Sequence, residues 1–502
     1  MATNPNATEA PPKKRNGVKK YLPTPPSGEQ PFAKCREELK GLTDAEIVLL
    51  VMDTPAWKEA MVPVLDAVDR ERKASRRGGR GGTPVYSAED IEKALLFQRV
   101  CGYRTYKKAH MRLNADRRTR EALGFDRANA KKATRYADGV PSQATVSRHL
   151  QRFGKERRGD AWDELARTLR DFHVANFPEM QEEMLVAQGD GTAVKTHYTT
   201  PIINPKTGKV TNEASVTCPD GGYMPPSAGP DKSGNGWNAL PISTHSSVPF
   251  VWALPKIHES EPVEATKLVR DELIGRVLPL LGPDRKIGVI TFDGAFASPT
   301  LRKELRAAGW AENIHHVSHR KESEDRAAKE RARRYPIEGY EGKWFSDGHR
   351  QLLCACGQGT TRGRFKFRKD MSVACWVEGA CDTCGPISIT SGKWRLAKNP
   401  SRWVRVDPSN PKEDPDLLFG NSLTFDDELS RQFGDRRFGH NEGFHGSALW
   451  RRFRITTEKR WFRTVHDARA DIGICFSIIH TVAMEQRRRK RAALAASPPG
   501  TS

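Results

Sequence analysis

Two aspartates that each follow a short β-rich run are the residues of this chain with the clearest potential for chemistry. Asp293 follows the β-branched run 286–292, and Asp190 lies in a β-rich run that continues past it as an extended segment. A glycine follows each aspartate, and a helix predicted over 298–309 gives the later run the order strand, turn, helix. The Asp293 carboxylate would lie at the carboxyl end of a buried strand, where open α/β sheets place their chemistry. The alternative for Asp293 is a side chain that only caps or bends its turn.

A third acidic candidate, Glu442, lies far downstream in a stretch that has the pattern of a helix. Two aspartates on strands and a glutamate on a helix can together hold two divalent cations. Mg²⁺ takes few protein carboxylates and leaves its other positions to water and phosphate oxygens. Two such ions can stabilise both the attacking and the leaving oxygen of an in-line phosphoryl transfer. The three carboxylates therefore predict metal-dependent chemistry on a phosphodiester.

Three motifs contain these acids: Gln188-Gly-Asp190-Gly-Thr192, Thr291-Phe-Asp293-Gly294 and Asn441-Glu442-Gly-Phe-His445. In their order and spacing the chain resembles a DDE transposase of the bacterial insertion-sequence type, over most of residues 85–485. The resemblance implies an α/β fold with a ribonuclease-H-like mixed sheet flanked by helices. It also implies that the three acids hold two Mg²⁺ ions. Such an enzyme would cleave transposon-end DNA and join the freed 3′-hydroxyl to target DNA.

The identity of the third acid has an alternative in Glu458. Families of this kind often place an arginine four positions before the glutamate and a lysine seven after it. Glu442 has neither, whereas Glu458 has Arg454 in the first position but Val465 in the second. We favour Glu442 because it shares a helix face with His445. Its distance to the apolar helix near the end of the chain also resembles the family better.

The chain has 502 residues, and its 83 lysines and arginines exceed its 62 aspartates and glutamates, for a formal net charge of +21. Such an excess favours a polyanionic partner, although a generally arginine-rich proteome would also produce it. The apolar run 472–484 is too short for a membrane span, and the amino terminus lacks the apolar core of a secretory signal. We therefore expect a cytoplasmic protein with a polyanionic partner and no membrane. The resemblance further implies that this partner is double-stranded DNA, both transposon ends and target, and that the protein is nucleoid-associated and a homo-oligomer on DNA.

Residues 31–157 combine helical patterning with concentrated positive charge, which predicts a helical DNA-binding region. Ser87 begins a capping box, and Ser142, which follows a proline, begins another helix. The outward residues of that second helix would suit a recognition helix in the major groove, although an ordinary amphipathic surface helix has the same pattern. The candidate DNA contacts of the whole chain are Lys107, Lys108, Arg112, Gln143, Ser147, Arg148, Arg152, Lys195, His445, Arg451 and Arg452.

Five of the nine cysteines lie between positions 354 and 384. This density favours an inserted module with a structural zinc over unconnected buried thiols. A tetrahedral zinc takes four soft ligands, and cysteine pairs on turns supply them. The expected ligands are Cys354, Cys356, Cys381 and Cys384, with Cys375 or His349 as a substitute for one of them.

These observations predict six segments along the chain. They are a disordered basic arm (1–30), the helical DNA-binding region (31–157), the first part of the catalytic core (158–335), the cysteine-rich insertion (336–415), the second part of the core with the glutamate helix (416–485) and a basic disordered tail (486–502). Two other functions stay open besides the transposase. One is a different metal-dependent nuclease on the same core, and the other is a sequence-specific DNA-binding protein with an inactive core. The absence of a Walker-type loop disfavours an ATP-driven motor.

Overall fold

A computed structural model describes several parts of the chain. They are residues 41–75, 86–103, 105–125, 139–196, 201–204, 206–208, 210–215, 220–224, 234–281, 288–296, 298–314 and 464–496, together with the backbone of nine short strands between 335 and 406. The chain divides into two compact units. The larger unit takes 26–285, 290–296 and 431–502, and the smaller unit takes 1–25, 286–289 and 297–430.

Helices make up most of the amino-terminal part of the larger unit. They are α1 (Asp44–Met52), a π-helical turn (Trp57–Met61) that continues as α2 (Val62–Ala74), α3 (Ala88–Val100), α4 (Tyr106–Ala115), α5 (Arg117–Ala122), α6 (Gln143–Phe153), α7 (Lys155–Asn176) and α8 (Pro178–Met184). The predicted capping box at Ser87 is confirmed, because its hydroxyl accepts from the Asp90 N–H at 3.0 Å. Such a bond satisfies a main-chain donor that the first helical turn leaves without a partner.

A long carboxyl-terminal helix, α11 (Val465–Ala496), packs along α7. Both helices bury an apolar face, and Trp162 of α7 also makes an edge contact with Trp57 at a ring distance of 5.6 Å. The hydrophobic effect therefore joins the end of the chain to its first helices. Within the described ranges, no helix combines the length and the apolar character that a membrane crossing requires.

The sheet of the larger unit is built around one long strand. Its strands are β1 (Val186–Gly189), β2 (Thr192–Lys195), β5 (Gly222–Met224), β6 (Gly234–Thr244), β7 (Pro249–Ala253) and β8 (Gly288–Phe292), while β3 (Pro201–Ile203) and β4 (Val210–Ser215) form a separate hairpin. The order β2-β6-β1-β8 places β6 beside both β1 and β2, and β7 also pairs with β6. The register of β6 toward β1 and β2 is continuous, since Ile242 pairs with Gly189 and Ala239 pairs with Thr192, whereas its register toward β7 shifts between Ile242 and Ser243. The predicted extended segment on both sides of Asp190 is therefore confirmed.

Helices cover this sheet. Helix α8 packs against β1 and β6, and helix α9 (Glu261–Leu268) packs against β7 and continues as a π-helical stretch to Val277. Helix α9 and this stretch form one continuous helical segment, with looser turns after Leu268. The protein is thus a mixed α/β fold whose mixed sheet is flanked by helices.

In the smaller unit, β9 (Trp310–Ile314) lies beside the start of β8, and α10 (Pro299–Ala307) joins the two. Three small antiparallel sheets follow. Their strands are β10 (Tyr335–Pro336), β11 (Trp344–Ser346) and β12 (Leu352–Cys354); β13 (Gly363–Phe367), β14 (Val373–Val377) and β18 (Arg402–Val406); and β15 (Ala380–Cys381), β16 (Gly385–Thr390) and β17 (Lys393–Leu396).

The end of the chain differs from the prediction of a disordered tail from residue 486. Helix α11 continues to Ala496. Arg487 pairs with Glu183 at 2.8 Å and Arg491 donates to Glu179 at 2.8 Å, so the basic residues are fixed to the acidic residues of α8. The prediction is wrong as far as the helix extends, because composition alone does not reveal the partners of a charge run.

Candidate active site

Asp190 lies in the middle of a ladder that is otherwise regular. All four residues of β1 are buried, and the Asp190 main chain continues the pairing through a bond from its N–H to the Pro241 carbonyl oxygen at 3.4 Å. Its half-buried carboxylate accepts at Oδ1 from the N–H of Gly191 at 2.9 Å. The main chain that follows Asp190 therefore orients its side chain.

Asp293 follows β8, all of whose residues are buried. Its half-buried carboxylate accepts at Oδ1 from the Ala295 N–H at 3.0 Å, and its carbonyl oxygen accepts from the Phe296 N–H at 3.0 Å. Phe296 is buried and its ring lies 4.9 Å from that of Phe292, which anchors the turn in the core. The alternative of a turn-forming aspartate is partly correct, since Asp293 does hold its own turn.

The contact between Gly189 and Phe292 brings the two aspartates to one edge of the sheet. An ideal Cβ on Gly189 would lie 1.9 Å from Cε1 of Phe292, so the aromatic ring occupies the space of the missing side chain. Each of these residues is the last of its strand, which means that β1 and β8 end side by side and run in the same direction. Because strand residues alternate between faces, the next residues, Asp190 and Asp293, share the opposite face.

The two carboxylates at this edge fit a hard divalent cation, because such a cation prefers oxygen ligands. Gln188 precedes Asp190 by two positions on the same face of β1. Its side chain is 2% exposed, and neither its Oε1 nor its Nε2 has a hydrogen-bond partner in the described part of the chain. A buried amide of this kind is consistent with a polar site at this edge. Among the described residues, no three acidic, histidine or cysteine side chains form a metal-binding group.

The third acid and several other candidates lie outside the described residues. These are Glu442, its alternative Glu458, and the DNA-contact candidates His445, Arg451 and Arg452. The same holds for Cys356 and Cys384. The backbone of Cys354 ends β12 and that of Cys381 ends β15, and their side chains are outside the description. The zinc site stays a prediction.

The helix predicted to recognise DNA, α6, has an apolar buried face and a polar exposed face, as expected. Ser142 caps α6 by accepting from the Thr145 N–H at 3.2 Å, and Val146 and Phe153 are buried. Leu150, the other large apolar residue of this helix, is half-buried. The four candidates on the outer face are all exposed: Gln143, Ser147, Arg148 and Arg152.

A cleft of about 510 Å³ lies beside this helix. Gln143 and Ser147 line it together with Arg158 of α7 and Asp471 of α11. Arg148 and Arg152 do not line the cleft, so they are the residues of α6 that a flat or convex partner would meet first. This division of the outer face follows from the position of α11 and could not be predicted from the periodicity of α6 alone.

Two further lysines and one arginine were predicted to contact DNA from α4. Lys107 and Lys108 are exposed. Arg112 instead pairs with Asp44 at 2.8 Å, and its guanidinium lies 5.8 Å from the ring of Phe97. Arg112 therefore contributes to the packing of α4 on the other helices. On the sheet, Lys195 is half-buried at the end of β2.

Sequence reasoning missed the buried carboxylate of Glu92. It is fully buried and accepts from Arg158 at 2.9 Å, from Trp162 at 3.0 Å, and pairs with His149 at 3.0 Å. Burial raises the pKa of Glu92, but the charge of Arg158 and hydrogen bonds from His149 and Arg158 outweigh it and lower the pKa to about 2. The available signal was a glutamate on the apolar face of α3, four residues before Leu96.

Together, the fold and the site define a mixed α/β protein with two carboxylates at the ends of adjacent parallel strands. Comparison of the chain with protein-family models, curated proteins and solved structures returned no match. The functional argument therefore depends on the geometry of this site.

Proposed function

We propose that this protein is a DDE transposase that uses Mg²⁺ to cleave transposon-end DNA and to transfer the cut strand into target DNA. The proposal depends mainly on the contact between Gly189 and Phe292. Because of this contact, Asp190 and Asp293 share one face at one edge of the sheet. Carboxylates far apart in sequence but adjacent at strand ends are what metal-dependent phosphoryl transfer requires.

The arrangement of the sheet also supports a ribonuclease-H-like core. Along the chain, the interrupted β1–β2 strand, β6 and β7 are followed by α9, β8, α10 and β9, with the short strands β3, β4 and β5 inserted between β2 and β6. This is the order strand, strand, strand, helix, strand, helix, strand that such a core needs. The first strand lies centrally, between β6 and β8.

In this proposal Asp190, Asp293 and Glu442 would hold two Mg²⁺ ions, which supply charge for the attacking and leaving oxygens. The turns after the first two residues keep Oδ1 of each carboxylate bonded to the main chain. This orients the carboxylates before DNA arrives and lowers the reorganisation that the reaction needs.

The bond changes are those of two in-line displacements. In the first, a water oxygen bonds to phosphorus while the bond to the 3′ oxygen breaks, which leaves a 3′-hydroxyl and a 5′-phosphate. In the second, that 3′-hydroxyl bonds to a phosphorus of target DNA and a target 3′ oxygen leaves. No covalent bond to the protein forms in either step.

Exposed cations would hold the DNA. Arg148 and Arg152 of α6 and Lys107 and Lys108 of α4 are all exposed, and contacts of this type to phosphates supply affinity without sequence information. Gln143 and Ser147 would read base edges. Homo-oligomerisation on DNA, association with the nucleoid and the zinc module belong to the same proposal.

The test is the substitution Asp293→Asn, with Asp271→Asn as the matched control, because Asp271 is exposed and pairs with Arg270 at 2.9 Å. We expect Asp293→Asn to slow cleavage of a transposon-end duplex by at least about a thousandfold, since several kcal/mol of transition-state stabilisation are lost. End binding without metal should stay within about twofold, because the phosphate contacts that supply it are unchanged. Cleavage at the normal rate would refute the role of Asp293.

Two further assays separate the other functions. A pre-cut end with a free 3′-hydroxyl is joined to target DNA by a transposase and is left unjoined by a nuclease. A DNA-binding protein with an inactive core would bind ends but would cleave nothing at any Mg²⁺ concentration.

A further inference from the structure

Gly191, the residue after Asp190, is covered by two polar side chains. An ideal Cβ on Gly191 would lie 2.7 Å from Nδ2 of Asn238 and 2.8 Å from Oε1 of Glu261. Both side chains therefore contact the main chain directly after Asp190. Any residue larger than glycine would have to displace them.

Asn238 and Glu261 also bond to each other. Nδ2 of Asn238 donates to Oε1 of Glu261 at 3.0 Å. Asn238 is 5% exposed, and its main-chain N–H donates to the Pro255 carbonyl oxygen at 2.8 Å, so its position in β6 is fixed. A buried amide with a charged acceptor makes a stronger hydrogen bond than one with a neutral acceptor.

The position of Glu261 connects the two aspartate turns. It is the first residue of α9, and this helix packs against the 3₁₀ turn Gly294–Phe296 that follows Asp293. Its carboxylate reaches the sheet on the face that Gly191 presents. By strand alternation, this is the face opposite to that of the Asp190 side chain.

We propose that Glu261 is a positioning residue. Through its bond with Asn238 and its contact with Gly191, it fixes the turn in which the Gly191 N–H bonds to Oδ1 of Asp190. The inference rests on the proposed function in one respect, because that function makes the Asp190 carboxylate a metal ligand. Glu261 itself touches neither the metal nor DNA.

An acidic residue in the first turn of a helix also has an ordinary structural explanation, the favourable interaction with the helix dipole. Glu264 lies in the same first turn and pairs with Lys267 at 2.5 Å. It shares the dipole interaction but belongs to a different hydrogen-bonded pair. Glu264→Ala is therefore the matched control for Glu261→Ala.

The first measurement is Mn²⁺ binding to the full chain without DNA, followed by electron paramagnetic resonance. We expect Glu261→Ala to weaken Mn²⁺ binding by about tenfold, the usual effect of losing an outer residue that orients a ligand. Glu261→Gln keeps an oxygen acceptor for the Asn238 amide, and it should bind within about threefold of the unmodified protein. Glu264→Ala should have no effect. Binding unchanged in Glu261→Ala, or equally weak in the Ala and Gln variants, would overturn the proposal.

The second measurement is hydrogen exchange in the peptide that contains Gly191. Loss of Glu261 should raise exchange of this N–H by about tenfold through local opening, while thermal unfolding of the whole protein stays cooperative. If the unmodified protein binds no Mn²⁺, the proposed function fails, yet exchange still decides the positioning role. Faster exchange in Glu261→Ala than in Glu264→Ala supports that role, and equal exchange overturns it.

Discussion

Glu92 and the aspartate pair show two ways in which this protein holds a carboxylate. Glu92 lies among helices, fully buried, and its oxygens contact the side chains of Arg158, His149 and Trp162. Asp190 and Asp293 are half-buried, and each accepts at Oδ1 from a main-chain N–H one or two positions further along.

The difference between the two arrangements indicates different roles. A buried carboxylate with several charged and polar partners joins distant parts of the chain, and losing it leaves those partners without compensation. The Asp190 and Asp293 carboxylates instead bond to the main chain of their own turns. Replacement by an amide of the same shape should therefore leave the turn in place and remove only the charge.

The largest effect on stability should come from Glu92→Ala. It leaves the Arg158 guanidinium without its buried partner, and we expect a loss of about 3–5 kcal/mol in the free energy of unfolding. Urea denaturation followed by tryptophan fluorescence measures this. The control is Asp190→Asn, which should unfold within about 0.5 kcal/mol of the unmodified protein. Equal losses in the two variants would remove the distinction between the two kinds of carboxylate.

The stability of the protein at acid pH should depend on a buried histidine pair as well as on Glu92. His173 of α7 and His480 of α11 face each other with their Nδ1 atoms 3.0 Å apart. Burial, together with the charges of Arg170 and Arg487, lowers the pKa of His480 to about 3, and burial lowers the pKa of His173. Both rings are therefore neutral in the folded protein at neutral pH.

Since the unfolded chain binds protons to these histidines near pH 6.5 and the folded chain does not, stability must fall as the pH drops from about 6.5 toward 3. The pKa of Glu92 is about 2 in the folded protein, so protonation of this carboxylate lowers the free energy of unfolding mainly below pH 4.5. We expect a loss on the order of 3 kcal/mol between pH 7 and 4 from His480, and His173 adds to it in the same direction. His480→Asn should flatten the pH dependence in this window, and an unchanged slope would contradict the assignment.

The smallest effect concerns α6, which lies next to the Glu92 cluster. Ser142→Ala removes the hydroxyl that caps this helix and should cost about 1 kcal/mol in the free energy of unfolding. Ser147→Ala on the exposed face of the same helix is the control and should change stability by less than about 0.5 kcal/mol. A cost in Ser147→Ala as large as that in Ser142→Ala would show that the cap is not the cause.

Local features of the sequence predicted the local features of the fold. The hydroxyls of Ser87 and Ser142 indicated where helices begin, and the structure confirms both caps. The β-rich runs before Asp190 and Asp293 form buried strands, as expected. These signals depend on neighbours within a few positions, which is why a single sequence reveals them.

The contacts that assemble the sheet and pack the helices join residues far apart in the chain, and the sequence contained no local sign of them. Nothing near Gly189 indicates that Phe292 fills its space, because that contact depends on the strand order. The pairing of Arg112 with Asp44 likewise requires the packing of α4 and α1. Glu261 belongs to the same group, since its helix must first cover the sheet.

The contact between Gly189 and Phe292 has a consequence for recognising homologous sequences. The two positions share one volume, so their sizes should vary in opposite directions during evolution. A homologue with alanine at the first position should have a smaller residue than phenylalanine at the second. A glycine before one aspartate and a bulky ring before the other thus form a paired signature, which identity counted position by position would miss.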